Sequence, residues 1–152
     1  MKKLISVFLL CVIALTAFSA CGEKEYDIDK EALAAALVDG GCFKDIMSQI
    51  PEQMLRYSYT VADNVSAVLY RGTNATAEEV TVFEAPDAAA AKAVLDIAKS
   101  QVETLAKTYD SYNATEAARL RDAIILQKGK YVIVCVCNDK AKAESVIKEH
   151  CK

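Results

Sequence analysis

Tyr131–Cys137 reads Tyr-Val-Ile-Val-Cys-Val-Cys, an unbroken apolar run. Successive side chains on a strand point to opposite faces, so Tyr131, Ile133, Cys135 and Cys137 fall on one side and Val132, Val134 and Val136 on the other. A strand apolar on both faces is buried on both and belongs in the interior of a sheet. The rest of the chain must therefore supply neighbouring strands and cover. Ala123–Lys128 precedes this run across Gly129, a residue suited to a tight turn, and the two strands are expected to form a hairpin.

Val65–Arg71 and Glu79–Ala85 are rich in β-branched and aromatic residues and predict a second pair of strands. Phe43–Ile50 is ambiguous and fits a further strand. Pro51 at a first helical position suggests a short helix to about Tyr57. Asp29 is placed to cap a helix over Lys30–Asp39 that Gly40-Gly41 would end. Asp139 is placed to cap a final helix, Lys140–Lys148 or a little beyond. The longest helix follows Asp87 and reads as continuing to about Tyr112. Ala91, Leu95, Ala98, Val102, Leu105, Tyr109 and Tyr112 make one apolar stripe along it. The stripe spans only about three heptads, which suits a helix laid across its own sheet better than a coiled-coil seam. Self-association through the stripe is the competing use.

These elements define an α+β fold. The expectation is an antiparallel sheet of four to five strands with helices packed mainly on one face. Asp87-Ala-Ala-Ala-Ala-Lys-Ala-Val-Leu95 and Asp139-Lys-Ala-Lys-Ala-Glu-Ser-Val-Ile147 each follow a hairpin, so the pattern is open to reading as a β-β-α pseudo-repeat.

The N-terminus carries an address. Lys2-Lys3 is followed by an apolar stretch, Leu4–Phe18, shorter than the roughly 20 residues a spanning helix needs. Ser19-Ala20-Cys21-Gly22 then resembles the lipobox of bacterial lipoproteins, with Phe18 where Leu is usual. The resemblance implies a signal peptide over 1–20, diacylglyceryl transfer to Cys21, and a lipid anchor on the outer face of the cytoplasmic membrane. Residues 21–27 read as a polar tether and 28–152 as a single domain.

The lipobox, the Gly72-Thr-Asn-Ala-Thr-Ala-Glu-Glu79 segment leading into Val80–Glu84, the Asp87–Lys92 helix start and the Gly129–Val134 strand with its Asp139 helix together form a pattern. It resembles a family of small lipoproteins from Gram-positive anaerobes catalogued as domain of unknown function 4358. The resemblance implies an α+β extracytoplasmic domain. It implies no activity, and only Cys21 carries a role across.

Chemistry-bearing residues are few. The net charge is −3, with no basic stripe, which disfavours nucleic acid as a partner. There is one His, His150, and no Trp. Beyond Cys21, the mature chain keeps Cys42, Cys135, Cys137 and Cys151, readable as disulfides or as free buried thiols. Cys135 and Cys137 share a strand face and are not expected to pair with each other. A mid-strand Cys-x-Cys is a poor zinc knuckle, so no metal and no cofactor is expected. Cys-x-x-Cys, Gly-x-Ser-x-Gly, a phosphate loop and His-Glu-x-x-His are all missing. Glu78-Glu79 reads as solvated surface, and the tyrosines as the rim of the core. Asn64, Asn74 and Asn113 head Asn-x-Ser/Thr triplets that reflect loop composition.

The function these features suggest is a non-enzymatic, membrane-anchored binding or interaction module. Its ligand is a protein, peptide or small molecule, held by a groove without convergent ionisable groups. The alternative is a thiol-redox or other cysteine-dependent envelope enzyme.

Overall fold

The computed structural model describes residues 25–73 and 75–152. The expected signal peptide, Cys21 and most of the tether lie outside the described residues.

In chain order the elements are α1 (Lys30–Asp39), β1 (Ser48–Ile50), α2 (Glu52–Leu55), β2 (Ser66–Arg71), β3 (Glu79–Glu84), α3 (Ala88–Tyr109), α4 (Ala114–Arg121), β4 (Ile124–Lys128), β5 (Tyr131–Val136) and α5 (Lys140–His150). Short polar side chains start the four longer helices. Asp29, Asp87, Asn113 and Asp139 each accept a bond from the backbone N–H three residues on, at 2.8–3.3 Å. Each such cap stabilises its helix by about 1 kcal/mol. Pro51 stands at the N-cap of α2 rather than at its first helical position. Gly129 turns the β4–β5 hairpin with φ +54°, a conformation glycine adopts without a Cβ penalty.

The strands form one antiparallel sheet in the order β1-β2-β3-β5-β4. β5 lies between β3 and β4, as its two apolar faces demand. Val132, Val134 and Val136 pack under α3 with Leu69, Phe83, Ala91, Ala98 and Val102. Ile133 and Cys135 pack on the opposite face with Leu33 and Leu37 of α1 and Ala143 and Ile147 of α5. The fold is α+β as expected. The bulk of the helix does lie on one face, with α3, but α1 and α5 cover the second. The apolar reverse of β5 and β3 requires that cover.

The apolar stripe of α3 is spent on the domain's own sheet: Ala91, Leu95, Ala98 and Val102 are buried in the first core. That leaves no free seam for a coiled coil. The helix ends at Tyr109 rather than near Tyr112, and Asn113 caps a separate helix, α4, beyond those expected.

The two β-β-α units are present, but no rotation relates them. A two-fold axis relating antiparallel β3 to β5 runs normal to the sheet and would leave both following helices on one face. Such a rotation carries Val82 onto Ile133, or Thr81 onto Val134, which pair across the ladder. It would put the counterpart of Asp87 at Asn138 or Lys140. The cap is Asp139, one residue out of phase either way, and one residue of phase exchanges the faces of a strand. α3 and α5 accordingly lie on opposite sides of the sheet.

Candidate functional site

The β2–β3 hairpin positions the principal site. Arg71, last in β2, stands directly across from Glu79, first in β3. Both face the α3 side with Leu69 and Phe83. Arg71 donates from Nε at 3.0 Å and Nη2 at 2.6 Å to Glu79 Oε2. Tyr59 Oη donates to Glu79 Oε1 at 2.5 Å, and Thr81 Oγ1 donates to the same oxygen at 2.8 Å. Each carboxylate oxygen thus accepts two bonds. Tyr59 also sets its ring edge-on to Phe83, 5.2 Å between centroids. Burial, and then the Glu79 charge, pushes the Tyr59 phenol well above its ordinary pKa, so it is a donor here and not a phenolate.

This network floors a cavity of about 350 Å3 between the hairpin and the last turns of α3. Gln101, Leu105 and Tyr109 of α3 form one wall, Tyr57 and Ser58 a second, and Thr73, Thr76 and Ala77 of the hairpin loop a third. Tyr57 is 85% exposed. Tyr112 is also among the exposed large side chains, and its ring lies 4.9 Å from that of Tyr109. Exposed Tyr57 and half-buried Tyr109 thus both border the cavity.

The hairpin loop is held by carboxylates. Asp45 Oδ2 accepts from Thr73 N at 2.8 Å and from Thr73 Oγ1 and Thr76 Oγ1 at 2.7 Å each. Glu116 of α4 accepts from Ala77 N at 2.8 Å. Glu78 turns the other way and takes Lys44 N at 3.0 Å and Asp45 N at 2.8 Å on Oε2. Arg119 sits between Glu116 at 2.8 Å and Glu78 at 3.5 Å. The reading of Glu78-Glu79 as solvated surface is overturned: Glu78 is 0% and Glu79 5% exposed. Their burial is tolerated because backbone N–H groups, a guanidinium and hydroxyls saturate them. Neither the pairing of Arg71 with Glu79 nor the role of Asp45 was visible in the sequence. The available signal was a Glu-Glu pair at the head of a strand with an apolar run, Val80, Val82 and Phe83.

Gly72 fits this arrangement because a Cβ there would meet Asp45 Oδ2 at 2.7 Å and Thr76 Oγ1 at 2.8 Å. Gly72→Ala is expected to displace the loop and weaken whatever the cavity holds. Hydroxyl bonds from Thr76 and Thr73 hold the Asp45 carboxyl below its ordinary value of 3.8. A lowered folded-state pKa stabilises above the unfolded value and loses that contribution as pH falls through the folded one. The protection of the Thr73 amide, and of the Thr76 and Ala77 amides in the same loop, should therefore fall relative to intrinsic exchange on acidification through that range, and Asp45→Asn should show the lower protection at neutral pH. Protection factors unchanged both by acidification and by Asp45→Asn would contradict this role for Asp45.

Cys42, Cys135, Cys137 and Cys151 are all free. Three gather at the end of β5. The Cys42 carbonyl accepts from Asn138 N at 3.0 Å and Asp139 N at 3.1 Å, which brings Cys42 beside the strand end. Cys135 is fully buried and Cys137 half-buried. The neighbouring Cys135, on the same strand face, holds the Cys137 thiol below its ordinary value, while Cys135 itself is pushed far up. Burial raises Cys42 and Cys151. Cys151 stands apart from that pair, in a groove with Ile124, Leu126 and Lys128. Among the described residues no group of three or more His, Cys, Asp and Glu side chains is placed to hold a metal ion. His150 is exposed at the end of α5. Native alkylation should label Cys137 first, with Cys42, Cys135 and Cys151 following only on unfolding. Equal native rates at all four would contradict the assignment.

The fold and its cavity define a small α+β domain built on one antiparallel sheet covered on both faces. Residues 43–137 match the family model described as Domain of unknown function (DUF4358), and the chain belongs to that family. No curated protein and no solved structure matches the chain. The matched stretch contains the whole Tyr59–Arg71–Glu79 network and the carboxylates that hold its loop. α1 and α5, which cover the second face, lie outside it.

Proposed function

We propose that this protein is a lipid-anchored, extracytoplasmic, non-enzymatic binding module whose ligand site is the cavity over Arg71 and Glu79. The anchor rests on the Lys2-Lys3, Leu4–Phe18 and Ser19-Ala20-Cys21 order, with Cys21 as the acylated residue. Among the described residues no helix is long and apolar enough to cross a membrane. The observation that carries the site is a preformed cavity floored by the Arg71–Glu79 ion pair and bordered by the rings of Tyr57 and Tyr109. Aromatic rims and a few oriented polar groups are the usual dress of a ligand pocket. Contrary to the groove expected from the sequence, ionisable groups do converge here. They are already neutralised by one another, which favours binding over acid–base chemistry.

Equilibrium dialysis of the full chain in detergent micelles against a small-molecule cell extract tests this. The wild type should enrich at least one compound that Leu105→Trp, which fills the cavity, does not. Enrichment of nothing, or equal enrichment by both, sinks the reading.

A second reading is thiol–disulfide exchange at Cys137, favoured by its partial exposure and by the neighbouring Cys135, which holds its thiol below the ordinary value. A thiol that reacts with a small disulfide no faster than free cysteine at neutral pH would remove it.

A further inference from the structure

The hydrogen bonds already made in the cavity determine which bonds remain to be made. Both oxygens of Glu79 are doubly occupied. Asp45 Oδ2 is filled by Thr73 and Thr76. The open groups on the floor and walls are mostly donors. Arg71 spends Nε and Nη2 on Glu79 and Nη2 again on Ser58 Oγ at 3.0 Å. Its Nη1 has no partner among the described residues. No buried side-chain nitrogen or oxygen among those residues lacks a partner, so Nη1 is open to solvent. Ser58 Oγ accepts from Arg71, which leaves its own O–H to donate. The Gln101 amide lines the cavity without a partner among the described residues. Leu105 and the rings of Tyr57 and Tyr109 supply apolar wall beside these donors.

We infer that the cavity takes a small carboxylic acid with a flat apolar body, its carboxylate received by Arg71 Nη1, Ser58 Oγ and the Gln101 amide. This deepens the proposed binding function and rests on it. A planar carboxylate accepts two or more bonds from donors on a guanidinium edge and neighbouring groups. Glu79 already offsets the one guanidinium charge, which suits a monoanion better than a dianion. The body of the ligand lies against the tyrosine rings, where stacking and apolar burial add affinity.

The test uses benzoate and its neutral isostere benzamide as probes, titrated into the full 15N-labelled chain in detergent micelles. Benzoate should shift the Arg71 Nε–H and Gln101 side-chain amide signals saturably and bind about tenfold more tightly than benzamide, the difference expected for a charged over a neutral acceptor. Ser58→Ala and Gln101→Ala, at partly exposed positions, should each weaken benzoate several-fold and benzamide by less, because the charged acceptor gains more from each donor. Equal binding of both probes in the cavity overturns the carboxylate inference and leaves the binding-module reading standing. No shift of the cavity signals by either probe also overturns the inference, and the dialysis result then decides the module reading by itself. Shifts confined to another face overturn it as well.

Discussion

Glu79→Ala is expected to lower the unfolding free energy by about 3–5 kcal/mol, the cost of removing one partner from a buried ion pair. The residue is nearly inaccessible, and four donor atoms converge on it. Arg71, about a third exposed along its side chain, can recover some hydration. Tyr59 and Thr81 cannot: they are 2% and 0% exposed and would each lose the acceptor for a buried hydroxyl. Glu79→Gln keeps the shape and one good acceptor, so its loss should be roughly half as large. Tyr59→Phe deletes one hydroxyl and one bond and should cost about 1 kcal/mol. Denaturant melts of the three variants give this order directly. An alanine variant within about 1 kcal/mol of wild type would show that the network contributes specificity and not stability.

Glu78→Ala is the second large effect, expected at about 3 kcal/mol. Glu78 is fully buried, accepts from the backbone N–H groups of Lys44 and Asp45 and faces Arg119, so its removal takes the acceptor from two part-buried donors and leaves a void in the interior. Glutamine is nearly as bad, since its amide N–H2 must face donors where a carboxylate offers two accepting oxygens. Arg119 keeps Glu116 in either variant. The consequence for function is indirect. Lys44 and Asp45 anchor the loop that carries Thr73 and Thr76, so the cavity wall should loosen before the sheet does. Hydrogen exchange should report protection lost first at residues 43–46 and 72–77. Uniform loss across β3 and β5 would mean that Glu78 supports the sheet itself.

Much of the architecture was legible in the sequence because alternation and capping are local codes. The two faces of Tyr131–Cys137 divide between the two cores as written, and the Asp caps fall where short polar side chains precede apolar periodicity. The separate α4 was not legible because Asn113, read as part of a loop triplet, caps a helix of low apolar content. The cover of the second face by α1 and α5 depended on which way short links turn, a matter of one residue of phase at Asp139. The site was the least legible part. Glu78 and Glu79 are acceptable in the interior largely through Lys44, Asp45, Arg71 and Tyr59, partners between 8 and 34 positions away in the chain for the bonds they make. A sequence lists such groups without their distances, and an isolated carboxylate pair is ordinarily solvated.

The reading of the cavity as an extracytoplasmic ligand site depends on where the domain lives. The intact mass of the protein extracted from membranes, taken with and without reduction and alkylation, tests that most directly. The account predicts a chain beginning at Cys21 and carrying a diacylglyceryl increment, with Cys42, Cys135, Cys137 and Cys151 all alkylated on unfolding without reduction. A chain that retains residues 1–20, or one that begins elsewhere without lipid, would contradict the anchored module.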